Sequence, residues 1–179
     1  MLVTKPYDRD RAVQYAERWA FDRNPLFANF SGIGGDCTNF ISQSVYAGSC
    51  QMNFTPEFGW YYMSSSDRTA SWTGVEFFYN FMVANEGVGP YASEVGAGEL
   101  DVGDVIQLGR RDGSFYHTLL VVGEENGMYL VAAHSDDAFN RRLDTYNYAR
   151  IRFLHIEGVR IEVADRRDCF ENLINGISL

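Results

Sequence analysis

Within GGDCTNFISQ, residues 34–43, Cys37 follows an aspartate and a glycine pair and precedes an apolar-periodic run. A thiol is mostly protonated at neutral pH, and its nucleophile is the thiolate. The mouth of a helix, with unpaired N–H groups and the positive end of the macrodipole, favours that anion. The same N–H groups, including that of Cys37, could hold an oxyanion developing on an attacked carbonyl. The bland alternative is a small buried apolar side chain at a helix start. The nucleophile reading requires a base.

Three histidines are present, His117, His134 and His155. His117 opens the apolar run HTLLVVG, and GEENG after it carries Asn126-Gly127, a favoured hairpin turn. A two-residue loop sets Glu125 against Met128, His117 against Asp136 and His134 against Leu119. A four-residue loop sets His117 against His134. In both registers His134 and Asp136 share a sheet face with His117, while Asp137 points away. Nucleophilic catalysis needs this grouping: a base near the thiol and a third polar residue that orients the imidazole. His134 is the favoured third residue, with Asp136 open. His155, in RFLHIEG, has no turn to fix its register and receives no role.

Several elements must position these groups. DRDRAVQYAERWAFD, residues 8–22, places Ala12, Val13, Ala16, Trp19 and Ala20 at helical spacing, with Asn24-Pro25 beyond its end. A glycine-bearing loop leads to a helix over about 37–47, with Asp36 as its N-cap and Gly48 as its break. Residues 49–70 are polar, aromatic and irregular. SWTGVEFFYNFMVANEG is expected to be a third helix, capped by Ser71 and ending near Gly87. The periodicity then changes to strands at 104–109, 115–123, 128–135 and 148–156, followed by an extra strand and a short helix. Helices before strands imply an α+β domain with an antiparallel sheet. A single domain over 1–179 is expected, with a core of about 7–156 and a C-terminal extension over 157–179.

Composition narrows the function. The 179 residues carry a net charge of −9, with 46% hydrophobic and 15% aromatic residues, which favours a folded chain and disfavours nucleic acid or an anionic membrane surface as partner. The longest apolar runs fall short of the roughly 20 residues that span a bilayer. The N-terminus lacks a secretory signal's apolar core, so the expectation is a cytoplasmic chain or a mature exported form. Cys37, Cys50 and Cys169 leave at least one thiol free, with a Cys50–Cys169 disulfide open. Zinc-type spacings, GxGxxG and GxxxxGK are absent, so no metal and no cofactor is expected.

DCTNFISQ, LDVGDVIQL and HTLLVVG, in that order, resemble the bacterial "Putative amidase domain" family, a branch of the papain-like cysteine peptidase superfamily near the NlpC and CHAP cell-wall hydrolases. The resemblance runs over about residues 7–156 and includes YDRDRAVQYAERWA, NPLF, the SW at 71–72 and AHSDD. It implies a papain-like, NlpC-like α+β fold. Carried onto this chain, it implies Cys37 as nucleophile, His117 as general base and acid, and His134 as the orienting residue. Asp36 matches the residue before the nucleophile, a helix cap or substrate contact. Two positions depart from the pattern: Phe27 stands near where NlpC-type enzymes carry a tyrosine, and Ser31 where papain carries a glutamine. The second oxyanion donor stays unassigned, with Asn29 and Ser31 as weak candidates.

The resemblance implies hydrolysis of an amide in a peptide or peptidoglycan-type small substrate, through an acyl-thioester. Transfer of the acyl group to an amine would use the same residues. The alternative is a catalytically silent binding module whose cleft is lined by Trp60, Tyr61, Tyr62 and Trp72, so Trp60 and Trp72 are candidate substrate-binding residues. Oligomeric state is left open.

Overall fold

The computed structural model describes residues 1–162 and 168–179. In chain order the elements are β1 (Val3–Lys5), α1 (Arg9–Trp19), α2 (Asp36–Ser49), β2 (Tyr62–Ser64), β3 (Asp67–Arg68), α3 (Ala70–Thr73), α4 (Val75–Ala84), β4 (Gly89–Val95), β5 (Val105–Gly109), β6 (Phe115–Glu125), β7 (Met128–Ala133), β8 (Ala138–Arg142), a 3₁₀ turn (Leu143–Thr145), β9 (Arg150–Ile161) and α5 (Cys169–Ile174). The protein is α+β. Its main sheet has the order β1-β9-β5-β6-β7-β8, with β4 also on β9, and all these pairings are antiparallel. No helix among the described residues is long and apolar enough to cross a membrane.

The sheet carries apolar side chains on both faces. Leu120 and Ala132 join the core shared with the helices, whereas Leu119, Val121, Val131 and Ala133 join a second core with Leu100, Tyr129 and Leu143. Successive strand residues alternate between faces, so the two cores read as the two parities of β6 and β7. The central helix α2 lies in the first core with all fourteen residues buried. Its polar side chains are satisfied there: Ser42 Oγ donates to the Trp72 carbonyl, Ser44 Oγ to the Phe40 carbonyl, and Gln43 Oε1 accepts from the Tyr15 hydroxyl at 2.6 Å. Small side chains and satisfied polar groups permit that depth of burial.

Several expectations need correction. The helix foreseen over 71–87 is broken at Gly74, whose extended backbone (φ −105°, ψ 129°) ends α3 and starts α4. Strands β1 to β4 and β8 have no counterpart among the expected strands, and the extra strand expected after 156 is the continuation of β9. The hairpin turn is the expected Asn126-Gly127 loop, with Glu125 opposite Met128, but the ladder passes from Gly123–Leu130 to Val121–Val131 and leaves Val122 as a bulge. A bulge inserts one residue and reverses parity beyond it. Counting on from the Leu120–Ala132 pair, His134 lies level with Thr118, not Leu119. His134 therefore falls on the helix-side parity and His117 on the other.

The irregular segment before α3 is exposed along much of its length but sends its large rings inward. Trp60 and Trp72 are fully buried, with ring centroids 4.7 Å apart. The Trp60 indole N–H donates to Ser42 Oγ and that of Trp72 to Asn39 Oδ1. Tyr62 is buried beside them. These rings anchor the loop to α2, which corrects the expectation that Trp60 and Trp72 line a substrate cleft. Cys50 and Cys169 form a disulfide that ties the end of α2 to α5, and Cys37 is the free cysteine. Of the C-terminal extension, β9 continues the sheet to Ile161 and α5 is the short helix; residues 163–167 lie outside the described residues.

Trp72→Ala is expected to lower unfolding free energy by about 3–5 kcal/mol, the usual cost of emptying a large aromatic site. Urea unfolding at neutral pH measures this, and Phe21→Ala, at a side chain 69% exposed, is expected to change little.

Candidate functional site

The N-terminus of α2 is set by two adjacent residues. Gly35 is the N-cap at φ 98°, and a Cβ there would meet the Thr73 carbonyl oxygen at 3.0 Å, so both backbone sign and space call for glycine. Asp36 is the first helical residue instead of the expected cap. Its side chain turns inward, 1% exposed: Oδ1 accepts from the Phe30 N–H at 3.0 Å and from Asn39 Nδ2 at 3.3 Å. Oδ2 lies 2.8 Å from His134 Nδ1 and 3.3 Å from Arg23 Nε. Burial alone would raise this carboxyl, but the bonds from His134 and the Phe30 N–H outweigh it and hold it at about 2. Asp36 thus pins the helix start from inside, and the expectation that it contacts substrate is not met.

His134 belongs to the same cluster. Its ring stacks on Phe40 with centroids 3.9 Å apart. Nδ1 is engaged by Asp36, and Nε2 lies 2.9 Å from the Trp19 carbonyl and 3.2 Å from Arg23 Nη1. Both ring nitrogens are therefore occupied by α1, the following loop and α2, so His134 has none left for the His117 imidazole. Its expected role as the residue orienting His117 is corrected by the Val122 bulge, which turns it to the helix side. Arg23 completes the cluster by a two-pronged pair with Asp137 at 3.0 Å in each arm.

Cys37 and His117 line one pocket of about 440 Å³, together with Gly34, Gly35, Asp136 and Arg141. The sulfur lies 3.7 Å from Thr38 Oγ1, which is 2.9 Å from Thr118 Oγ1, and the Thr118 backbone helps to lower the thiol pKa. That residue directly follows His117 on β6. The thiol is 7% exposed, and burial pushes its pKa up despite the lowering by Thr118 and Thr38. The direction is therefore opposite to the depression expected for a thiol at a helix mouth, and its cause is burial.

His117 is shifted the other way, to about 4, chiefly by burial, with Asp136 pulling it partly up and Arg141 down. Its ring stands 5.9 Å from that of Tyr146. At neutral pH the pocket holds an uncharged imidazole and a protonated thiol. Ser135 and Asp136 both have positive φ, 62° and 65°, a backbone that non-glycine residues seldom adopt and that persists where the surroundings enforce it. Asp136 is the pocket carboxylate; Asp137 pairs with Arg23, which also reaches His134. His155 is bonded through Nδ1 to Asp104 Oδ2 at 2.7 Å, apart from this pocket.

The depressed His117 pKa has a consequence for stability. An unfolded chain binds a proton at this residue near pH 6.5, while the folded chain resists it down to about 4. Its contribution is complete above pH 6.5 and is lost as pH falls from 6.5 to 4. His117→Gln is expected to flatten the urea midpoint across that window. Asp36 acts lower, its contribution fading only as pH falls from 3.8 toward about 2.

Residues 6–156 match the profile of the "Putative amidase domain" family. The chain is similar to Uncharacterized protein YhbB of Bacillus subtilis (strain 168), 42% identical over 137 residues, covering 74% of this chain and 42% of that protein. It is also similar to Uncharacterized protein YjcM of the same organism, 27% identical over 144 residues, covering 76% and 32%. The chain thus spans less than half the length of these curated relatives. No solved structure matches it. A match over residues 6–156, most of the chain, shows that the protein belongs to the "Putative amidase domain" family.

Proposed function

We propose that the protein is a cysteine hydrolase of amide bonds with a papain-like arrangement, in which Cys37 is the nucleophile and His117 the general base and acid. One observation carries this reading: the Cys37 and His117 side chains, from the start of α2 and the start of β6, line the same pocket. The amidase family supports the reaction class.

Because the resting groups are thiol and neutral imidazole, attack begins with transfer of the thiol proton to His117 as sulfur approaches the substrate carbonyl carbon. The S–C bond forms, the carbonyl oxygen gains negative charge, and N–H groups at the start of α2 face that charge. His117 then gives its proton to the leaving amine as the C–N bond breaks. Water, deprotonated by His117, opens the thioester and restores the thiol.

Asp136 is the third group in this reading. It shares the pocket with His117 and acts on its charge, whereas His134 is committed to Asp36. The substrate is a peptide or peptidoglycan-type amide. An aromatic-lined binding module has no comparable support, since Trp60 and Trp72 are in the core.

Peptidoglycan fragments and short peptides should yield new primary amines detectable by mass spectrometry. Cys37→Ala is expected to abolish turnover, and His117→Ala to lower kcat/KM by about 10³-fold or more. Asp136→Asn is expected to lower kcat by about 10²-fold or more with little change in unfolding midpoint, whereas His134→Gln should lower the midpoint. Turnover that survives Cys37→Ala would sink the nucleophile assignment.

A further inference from the structure

We infer that Arg141 is a specificity residue that reads a carboxylate on the substrate, so that the preferred amides carry a free acid group near the scissile bond. The inference rests on the hydrolase reading for its biological meaning, but its geometry stands apart from it. Arg141 lines the pocket that holds Cys37 and His117. Its side chain is held along one edge: Nε donates to Thr145 Oγ1 at 2.8 Å, Nη2 donates to the Thr145 carbonyl at 3.0 Å, and the guanidinium lies over the Tyr146 ring, 3.7 Å from the centroid. Thr145 Oγ1 is fixed in turn by donating to the Arg142 carbonyl at 2.7 Å.

Among the described residues the hydrogen bonds of Arg141 run from Nε and Nη2, its charge also acts on the Tyr146 hydroxyl, and no carboxylate forms an ion pair with it, although Asp136 lines the same pocket. In a chain of net charge −9, arginines are readily paired: Arg9 with Asp104, Arg23 with Asp36 and Asp137, Arg142 with Asp144, Arg152 with Glu76. Arg141 is oriented yet leaves donors free, which is the arrangement a planar guanidinium needs to take a carboxylate. Preorganisation also spares the rotamer entropy that a loose arginine would lose on binding.

Alkylation of Cys37, the free cysteine, tests the inference without knowing the substrate. Iodoacetate and iodoacetamide differ in the carboxylate, so their rate ratio at Cys37 isolates the anion preference, while changes in thiolate fraction cancel. Arg141→Met is expected to lower the iodoacetate-to-iodoacetamide ratio by about fivefold or more, and Arg141→Lys to retain part of it. In the wild type, N-acetylalanine is expected to slow alkylation by iodoacetamide more than N-acetylalaninamide does, which needs no variant. An unchanged ratio in Arg141→Met, or equal protection by acid and carboxamide, would overturn the inference. Failure of the hydrolase reading looks different: a normal ratio effect on a Cys37 that supports no turnover.

Discussion

The buried carboxylate of Asp36 is the interaction on which the site depends. A charge with 1% exposure is tolerated only when nearly every lone pair is met, and here the loop N–H of Phe30, the amide of Asn39, the ring of His134 and the guanidinium of Arg23 converge on it. These partners come from the loop after α1, from α2 and from the end of β7. One side chain thereby fixes the helix mouth against the sheet, and Cys37, its neighbour in sequence, inherits that position.

The two chemical groups sit on opposite consequences of one alternation. Along β6, His117 and Thr118 point to opposite parities, so the residue whose hydroxyl meets Thr38, next to Cys37, is adjacent to the one that carries the imidazole. Thr118 also links the layers, its hydroxyl bonded to Thr38 on α2 and accepting from Gln107 on β5. Burial favours the uncharged form of both the Cys37 thiol and the His117 imidazole.

Much of this was legible in the residues. The helix mouth at Cys37, the strand opening at His117 and the Asn126-Gly127 turn follow from local chemistry: glycines before a periodic run, a polar residue heading an apolar one, a dipeptide that accepts positive φ. The order of helices before strands implied the α+β antiparallel architecture. The role of His134 was not legible, because a bulge leaves no local mark; GEENG and the apolar alternation around it read the same with or without Val122 in the ladder. Trp60 and Trp72 misled for a different reason. Indoles in a polar segment suggest exposure, and only the packed partners Ser42 and Asn39, distant in sequence, reveal the loop as an inward clamp. Arg141 went unnoticed because β8 is short and its neighbours are charged.

The unpaired residue at Val122 acts as a half-step phase shifter between two surfaces of the hairpin. A sister chain that lacked it, or gained a second, would swing the position of His134 across to the other side without altering any side chain. Which residue steadies an imidazole, and which steadies a helix, can thus be exchanged by a single insertion, so position-by-position comparison across this hairpin is sound only once the ladder has been counted.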